Sequence, residues 1–278
     1  MKKTDITPGR VILHLFLAFY AIVQIFPLYW LFTFSLKDNN EIFGGNIVGL
    51  PKNWRFENYY NAFFQADVIK YSRNSVIVTL ATILITIILA AASAYAIERM
   101  KWKASEGVMK FILLGMMVPI HAALLPLFIV LSRLHILNSF WALIIPYVAF
   151  GLPMAVYLFT SFLASIPREL EEAGAIDGCN IYQIFFIVIA PLIKPAIATV
   201  SIFTFISSWN ELMFAVTFIS KADYKTLTVG IMSMVGAYTT KWGDIGAGLM
   251  IATIPTIIIY LFLSRQVQKS LVAGAVKG

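Results

Sequence analysis

Between Arg73 and Glu98 the chain carries no charged residue, and between Leu134 and Pro167 there is again none. A helix needs about 20 residues at 1.5 Å each to cross ~30 Å of hydrocarbon, so runs of this length suit a bilayer. Composition points the same way. Hydrophobic residues make up 60% of the 278 and charged residues only 13%, with a mean hydropathy of +0.83; a soluble domain is about 45–50% apolar. The fold class expected is an all-α polytopic membrane protein with six transmembrane helices, at roughly 11–34, 73–97, 110–131, 139–163, 196–219 and 246–264.

The first run, Val11 to Leu36, follows Lys2, Lys3 and Arg10 as a signal peptide would. It is longer than the ~7–15 residues of a signal core and no A-x-A site follows, so it reads as a retained span. Orientation follows from short loops near the spans: Arg99, Lys101, Lys103 and Lys110 in one turn outweigh Arg133 in the next, which places both termini in the cytoplasm. Residues 1–10 are then a cytoplasmic N-terminus, 11–278 a single transmembrane domain and 265–278 a cytoplasmic tail. The net charge of +7 is scattered among apolar runs rather than gathered in a stripe, so it marks orientation and not nucleic-acid binding. With one cysteine, Cys179, no intramolecular disulfide forms, and histidines at 14, 121 and 135 have no zinc-ligand spacing. No metal site is expected. Pro119, Pro126, Pro146, Pro153 and Pro255 fall in or at the ends of spans and predict kinked or broken helices.

One segment breaks the apolar pattern. Ser165 to Pro195 (SIPRELEEAGAIDGCNIYQIFFIVIAPLIKP) is acidic and turn-broken, and must sit in water. Pro167 can open a helix with Glu169, Glu171 and Glu172 in its first turns, where carboxylates suit the positive end of the dipole. Asp177-Gly178 signals a turn, and a second helix runs from about Asn180 until Pro191 and Pro195 disturb it. The expected product is a helix-turn-helix knob on one membrane face.

Glu172, Ala173, Gly174, Gly178, Val188 and Pro191 stand at the spacing of the EAA loop and resemble that signature of ABC importer permeases. Gly174 occupies a position where alanine is commonest, and Ala190 one where leucine is. The segments LPKNWRFENYYNAFF, RNSVIV with AASAYAIERM, SSWNELMFA, KTLTVGI and the ending LVAGAVKG are similar, in the same order, to signatures of carbohydrate importer permeases of the maltose type. The resemblance covers nearly the whole chain and is to the smaller six-span partner, with a MetI-like type I importer fold.

What that resemblance implies is a division of labour in a bacterial inner or plasma membrane. An extracytoplasmic binding protein delivers a sugar, this chain and a second related permease form the path, and two ATPase subunits drive it. Glu172, Ala173, Gly174, Asp177, Gly178 and Pro191 would couple to the ATPase, with Ile176 and Ile181 as apolar contacts. Gly274, Ala275 and Lys277 in the tail would make a second contact. The sequence has no G-x-x-x-x-G-K-[ST] loop and no cytoplasmic segment large enough for a nucleotide-binding domain, so the chain is a non-catalytic subunit, with no cofactor of its own, and ATP and Mg belong to the partner.

Glu211 is the only acid inside an expected span, where a charge costs about 2.5–3.5 kcal/mol on insertion scales, so it faces protein or water. Two readings stay open. Glu211 can serve packing near a rim, or with Trp209 and Asn210 it can offer a sugar a stacking face and hydrogen bonds. His121 can line the path or be a satisfied histidine between helices. The same permease type also serves glycerol phosphate or other sugar-like solutes; the absence of Lys or Arg inside any expected span leans toward a neutral cargo. A stand-alone secondary transporter would carry several intramembrane ionisable groups, and an intramembrane enzyme an HExxH or GxSxG signature, neither of which is present.

Overall fold

The computed structural model describes residues 8–100, 102–236 and 238–275, and their secondary structure is helical. Among the described residues four helices are long and apolar enough to cross a membrane: α1 (Pro8–Phe34), α2 (Val68–Arg99), α5 (Trp141–Leu163) and the stretch Trp242–Phe262 of α10 (Trp242–Ala275). Two bent pairs pass the same test when each is taken together, α3 (Ser105–Met117) with α4 (Ile120–Arg133) at 89°, and α7 (Ile181–Leu192) with α8 (Lys194–Trp209) at 74°. Counting each pair once gives the six expected spans, but two of them depart from a straight rod.

The third span, expected to run unbroken over 110–131, turns at Val118-Pro119, where proline removes a backbone donor and its ring opposes continuation. Pro146 and Pro153, by contrast, lie inside a continuous α5. The fifth span, expected over 196–219, stops at Trp209 and restarts as α9 (Met213–Phe218). The backbone of α10 continues past its apolar stretch to Ala275.

The chain forms two compact units. One comprises the residues up to Val68 together with Ile231–Thr253. Here α1 shows its apolar side chains outward along its length. The segment after it closes around the fully buried Lys37, whose Nζ donates to the carbonyls of Asn46 (2.7 Å) and Ile47 (3.3 Å). Asn58 Nδ2 donates to the carbonyls of Ser35 and Lys37, both at 2.9 Å. The first turn of α10 approaches so closely that a Cβ at Gly243 would lie 2.2 Å from the Lys37 carbonyl, so only glycine fits there.

The other unit comprises Ile69–Gly230 with the chain from Ile254 on. Among its described residues it holds two apolar clusters. The first joins Ala90, Ala91 and Ala94 of α2 to Phe159 and Leu163 of α5 and to Ile184, Ile189 and Ile193 around α7, the small alanines letting helix backbones approach. The second gathers Val78, Leu143, Val148, Phe214 and Phe218. Each cluster supports one of the two polar breaks described next.

Candidate functional site: the acidic loop and the intramembrane cavity

The acidic loop is helix, turn and helix. Its first arm, α6 (Glu169–Ile176), begins two residues after Pro167, with Arg168 as the flanking residue and Glu169, Glu171 and Glu172 in the first turn. The arm ends in a Schellman motif. The Gly178 amide donates to the Ala175 carbonyl at 3.1 Å and the Cys179 amide to the Gly174 carbonyl at 3.0 Å, while Gly178 takes φ +84°, a conformation that favours glycine. The second arm starts at once. Asn180 caps α7 in a capping box, its Oδ1 accepting from the Gln183 amide (3.0 Å) as Gln183 Oε1 accepts from the Asn180 amide (2.8 Å). The arm includes a π-helical stretch, Ile184–Ile189, and runs through Pro191 before the bend at Ile193.

The arms pack through Gly174, which is buried. A Cβ there would meet Ile184 Cγ1 at 3.5 Å and Val188 Cγ2 at 3.6 Å, ordinary contact distances. Glu172, Ala173, Asp177, Gly178 and Pro191 are exposed, and Ile176 (85%), Tyr182 (73%) and Ile181 (41%) present apolar surface beside them. A carboxylate and greasy side chains thus share one exposed knob, which is chemistry for docking rather than catalysis.

The loop is anchored by residues that sequence reading passed over. Glu171, not Glu172, is tied down: its Oε1 lies 3.1 Å from Arg99 Nε and its Oε2 accepts from Tyr95 Oη at 3.0 Å. Arg99 also donates from Nη2 to the carbonyls of Leu163 (2.6 Å) and Ile166 (2.8 Å). The sequence signal was the Glu98-Arg99 pair that closes a long uncharged run.

The second polar break lies where α8 gives way to α9. Glu211 accepts from the amides of Phe214 (2.7 Å) and Ala215 (3.1 Å) and from Tyr147 Oη (2.6 Å), so its carboxylate caps α9 and ties it to α5. Thr228 Oγ1 donates to its backbone carbonyl at 2.8 Å. The break itself explains an acid in an apolar run: the restarted helix needs an acceptor for its first amides.

Tyr147, Glu211, Thr82, Ser207 and Phe203 are among the walls of a cavity of about 230 Å³, whose lining is mostly apolar. Of the expected path residues, Glu211 alone lines this cavity. Trp209 is buried (4%) and stacked on Phe205 with ring centroids 5.4 Å apart, which leaves no indole face for a sugar. Asn210 turns its Nδ2 back to the Ile206 carbonyl at 2.9 Å. His121 is exposed in the short turn that opens α4. Gly274 and Ala275 fall in the last turn of α10, and Lys277 lies outside the described residues.

Residues 83–274, which include the acidic loop and the α8–α9 break, match the sequence model of the family described as the binding-protein-dependent transport system inner membrane component. The chain belongs to this family. It is 35% identical over 270 residues to the probable ABC transporter permease protein YurM of Bacillus subtilis, covering 97% of this chain and 89% of that one. It is 32% identical over 263 residues to the diacetylchitobiose uptake system permease protein NgcG of Streptomyces coelicolor, covering 94% and 87%. The fold is shared with a chain in the crystal structure of a bacterial ABC transporter involved in the import of the acidic polysaccharide alginate, with a TM-score of 0.82 at 21% identity over 95% of this chain and 99% of that one. As a member of this permease family the chain is a multi-pass membrane protein that works within an ABC import system served by a binding protein.

Proposed function

We propose that this chain is one of two related permeases in an ATP-driven importer of a sugar or oligosaccharide, coupled through its acidic loop to a separate ATPase. Full-length likeness to a diacetylchitobiose permease supports the cargo class. The single observation that carries the coupling is the knob itself, with Glu172 exposed and Ile176 85% exposed beside it on a doubly capped turn. A charge-assisted pair from Glu172 to a basic residue of the ATPase, with apolar contact from Ile176 and Ile181, gives affinity and direction. Exposed Ala173 lets a partner backbone come close, buried Gly174 lets the two arms of the loop approach each other, and Gly178 sets the elbow.

In this reading ATP and Mg are held by two ATPase subunits and none by this chain, which is not itself an enzyme. Both termini face the cytoplasm, and the C-terminal segment, with Gly274 and Ala275 at the end of α10 and Lys277 outside the described residues, makes a second contact to the motor. An extracytoplasmic binding protein delivers the cargo from the other face. Glu211 organises the wall of the path by capping α9, and the cargo meets the hydroxyl and aromatic groups around it.

The test is co-expression with the neighbouring ATPase, second permease and binding protein. Glu172→Lys is expected to lose the ATPase from the purified complex while the chain still inserts and binds its partner permease. An ATPase retained at the same ratio in Glu172→Lys removes the docking role. Solute accumulation by the isolated chain, without any nucleotide-hydrolysing subunit, removes the whole reading.

A further inference from the structure

At the inner end of α2 a single guanidinium holds three helices. Arg99, whose side chain is 4% exposed, stands in the last turn of α2 with its Nε 3.1 Å from Glu171 Oε1 on α6, an ion pair out of hydrogen-bond alignment. Its Nη2 reaches the carbonyls of Leu163, the last residue of α5, and Ile166 just beyond, at 2.6 and 2.8 Å. Those carbonyls lie at the end of α5, where that of Leu163 also accepts from the Ile166 amide at 2.9 Å, and a cation there suits the helix dipole. Glu171 is 16% exposed and is held from its other oxygen by Tyr95, again on α2. Arg168, at the start of α6, returns the connection by donating to the Glu98 carbonyl at 3.0 Å.

A pair this deeply buried has lost much of its hydration, and removing one partner strands the other. A lysine can replace it only in part, because the guanidinium meets the acid from Nε and the two carbonyls from Nη2, two separated nitrogens of one plane, whereas an ammonium offers its donors from a single point. The exposed acids of the same turn, Glu169 and Glu172, take no part.

We infer that Arg99 and Glu171 are positioning residues that form a force-bearing clamp, making the first arm of the acidic loop move as one body with the inner ends of α2 and α5. This rests on the importer reading above. α2 and α5 both line the cavity, through Thr82 and Tyr147 among others, so a displacement imposed on α6 is delivered to two cavity walls together. The knob docks with Glu172; the clamp passes the movement on with Glu171.

The test uses the full complex in nanodiscs, in a Cys179→Ser background with a reporter thiol at Met154→Cys, a cavity position on α5. Maleimide labelling is measured before and after trapping with ATP, Mg and vanadate. With the clamp intact, trapping is expected to change the labelling rate severalfold. In Glu171→Gln the ATPase should remain bound and trap the same nucleotide per complex, while the labelling response shrinks at least threefold. Arg99→Lys should give an intermediate response, a partial rescue that general loosening of the fold would not produce. An undiminished response in Glu171→Gln overturns the clamp, as does a response that falls only in step with loss of the ATPase. A complex with intact clamp that traps no nucleotide overturns the importer reading itself.

Discussion

The acidic loop and the α8–α9 break are both interruptions of helix that carry a carboxylate, yet they treat it in opposite ways. At the loop, Glu169 and Glu172 are left exposed and only Glu171 is bound internally. At the break, Glu211 has its oxygens occupied by two amides and a phenol of its own chain. The difference follows from the surroundings. In water an acid is already satisfied and remains available to a newcomer, whereas inside an apolar wall it must be satisfied by the fold or not be there at all.

This contrast can be broken most sharply at Arg99. Arg99→Ala leaves Glu171 without its counter-charge and takes one donor each from the Leu163 and Ile166 carbonyls, a loss of about 3–5 kcal/mol. Thermal unfolding of the detergent-solubilised chain should show it, beside a change under about 0.5 kcal/mol for the solvated Glu172→Ala. Glu211→Ala comes next. It removes the cap of α9 and strands the Tyr147 hydroxyl, with an expected cost of about 1–3 kcal/mol, and Tyr147→Phe should cost less in the same assay. Gly178→Ala places a Cβ on a backbone at φ +84° and should cost about 1–2 kcal/mol. The smallest effect has the opposite sign: Gly174→Ala has room at 3.5 and 3.6 Å and should stabilise α6 by about 0.5–1 kcal/mol. Destabilisation by Gly174→Ala would mean that the two arms pack more tightly than these distances allow.

Local chemistry was the legible part of this molecule. The turn at Gly178 and the start of the second arm at Asn180 are written in short-range capping residues, and the spans in uncharged runs longer than a bilayer needs. The break after Trp209 was hidden because hydropathy averages over composition and the sequence stays apolar on both sides. Its marker was Glu211 itself, an acid in an apolar run whose role as a cap only the folded chain reveals. The clamp was invisible for another reason, since Arg99 and Glu171 belong to segments whose proximity is decided by packing of alanines on α2 against α5 and α7. Nor does any periodicity tell that α10 runs on to Ala275, beyond its apolar stretch.

The elbow of the acidic loop is closed from both sides. Two backbone bonds finish one arm, at Gly178 and Cys179, and two reciprocal bonds with Gln183 begin the other at Asn180, with no slack residue between them. Such a joint does not flex like a hinge. Pushed at its tip, it swings as a bell-crank of fixed angle, so a stroke entering along one arm leaves along the other with little of it absorbed at the corner.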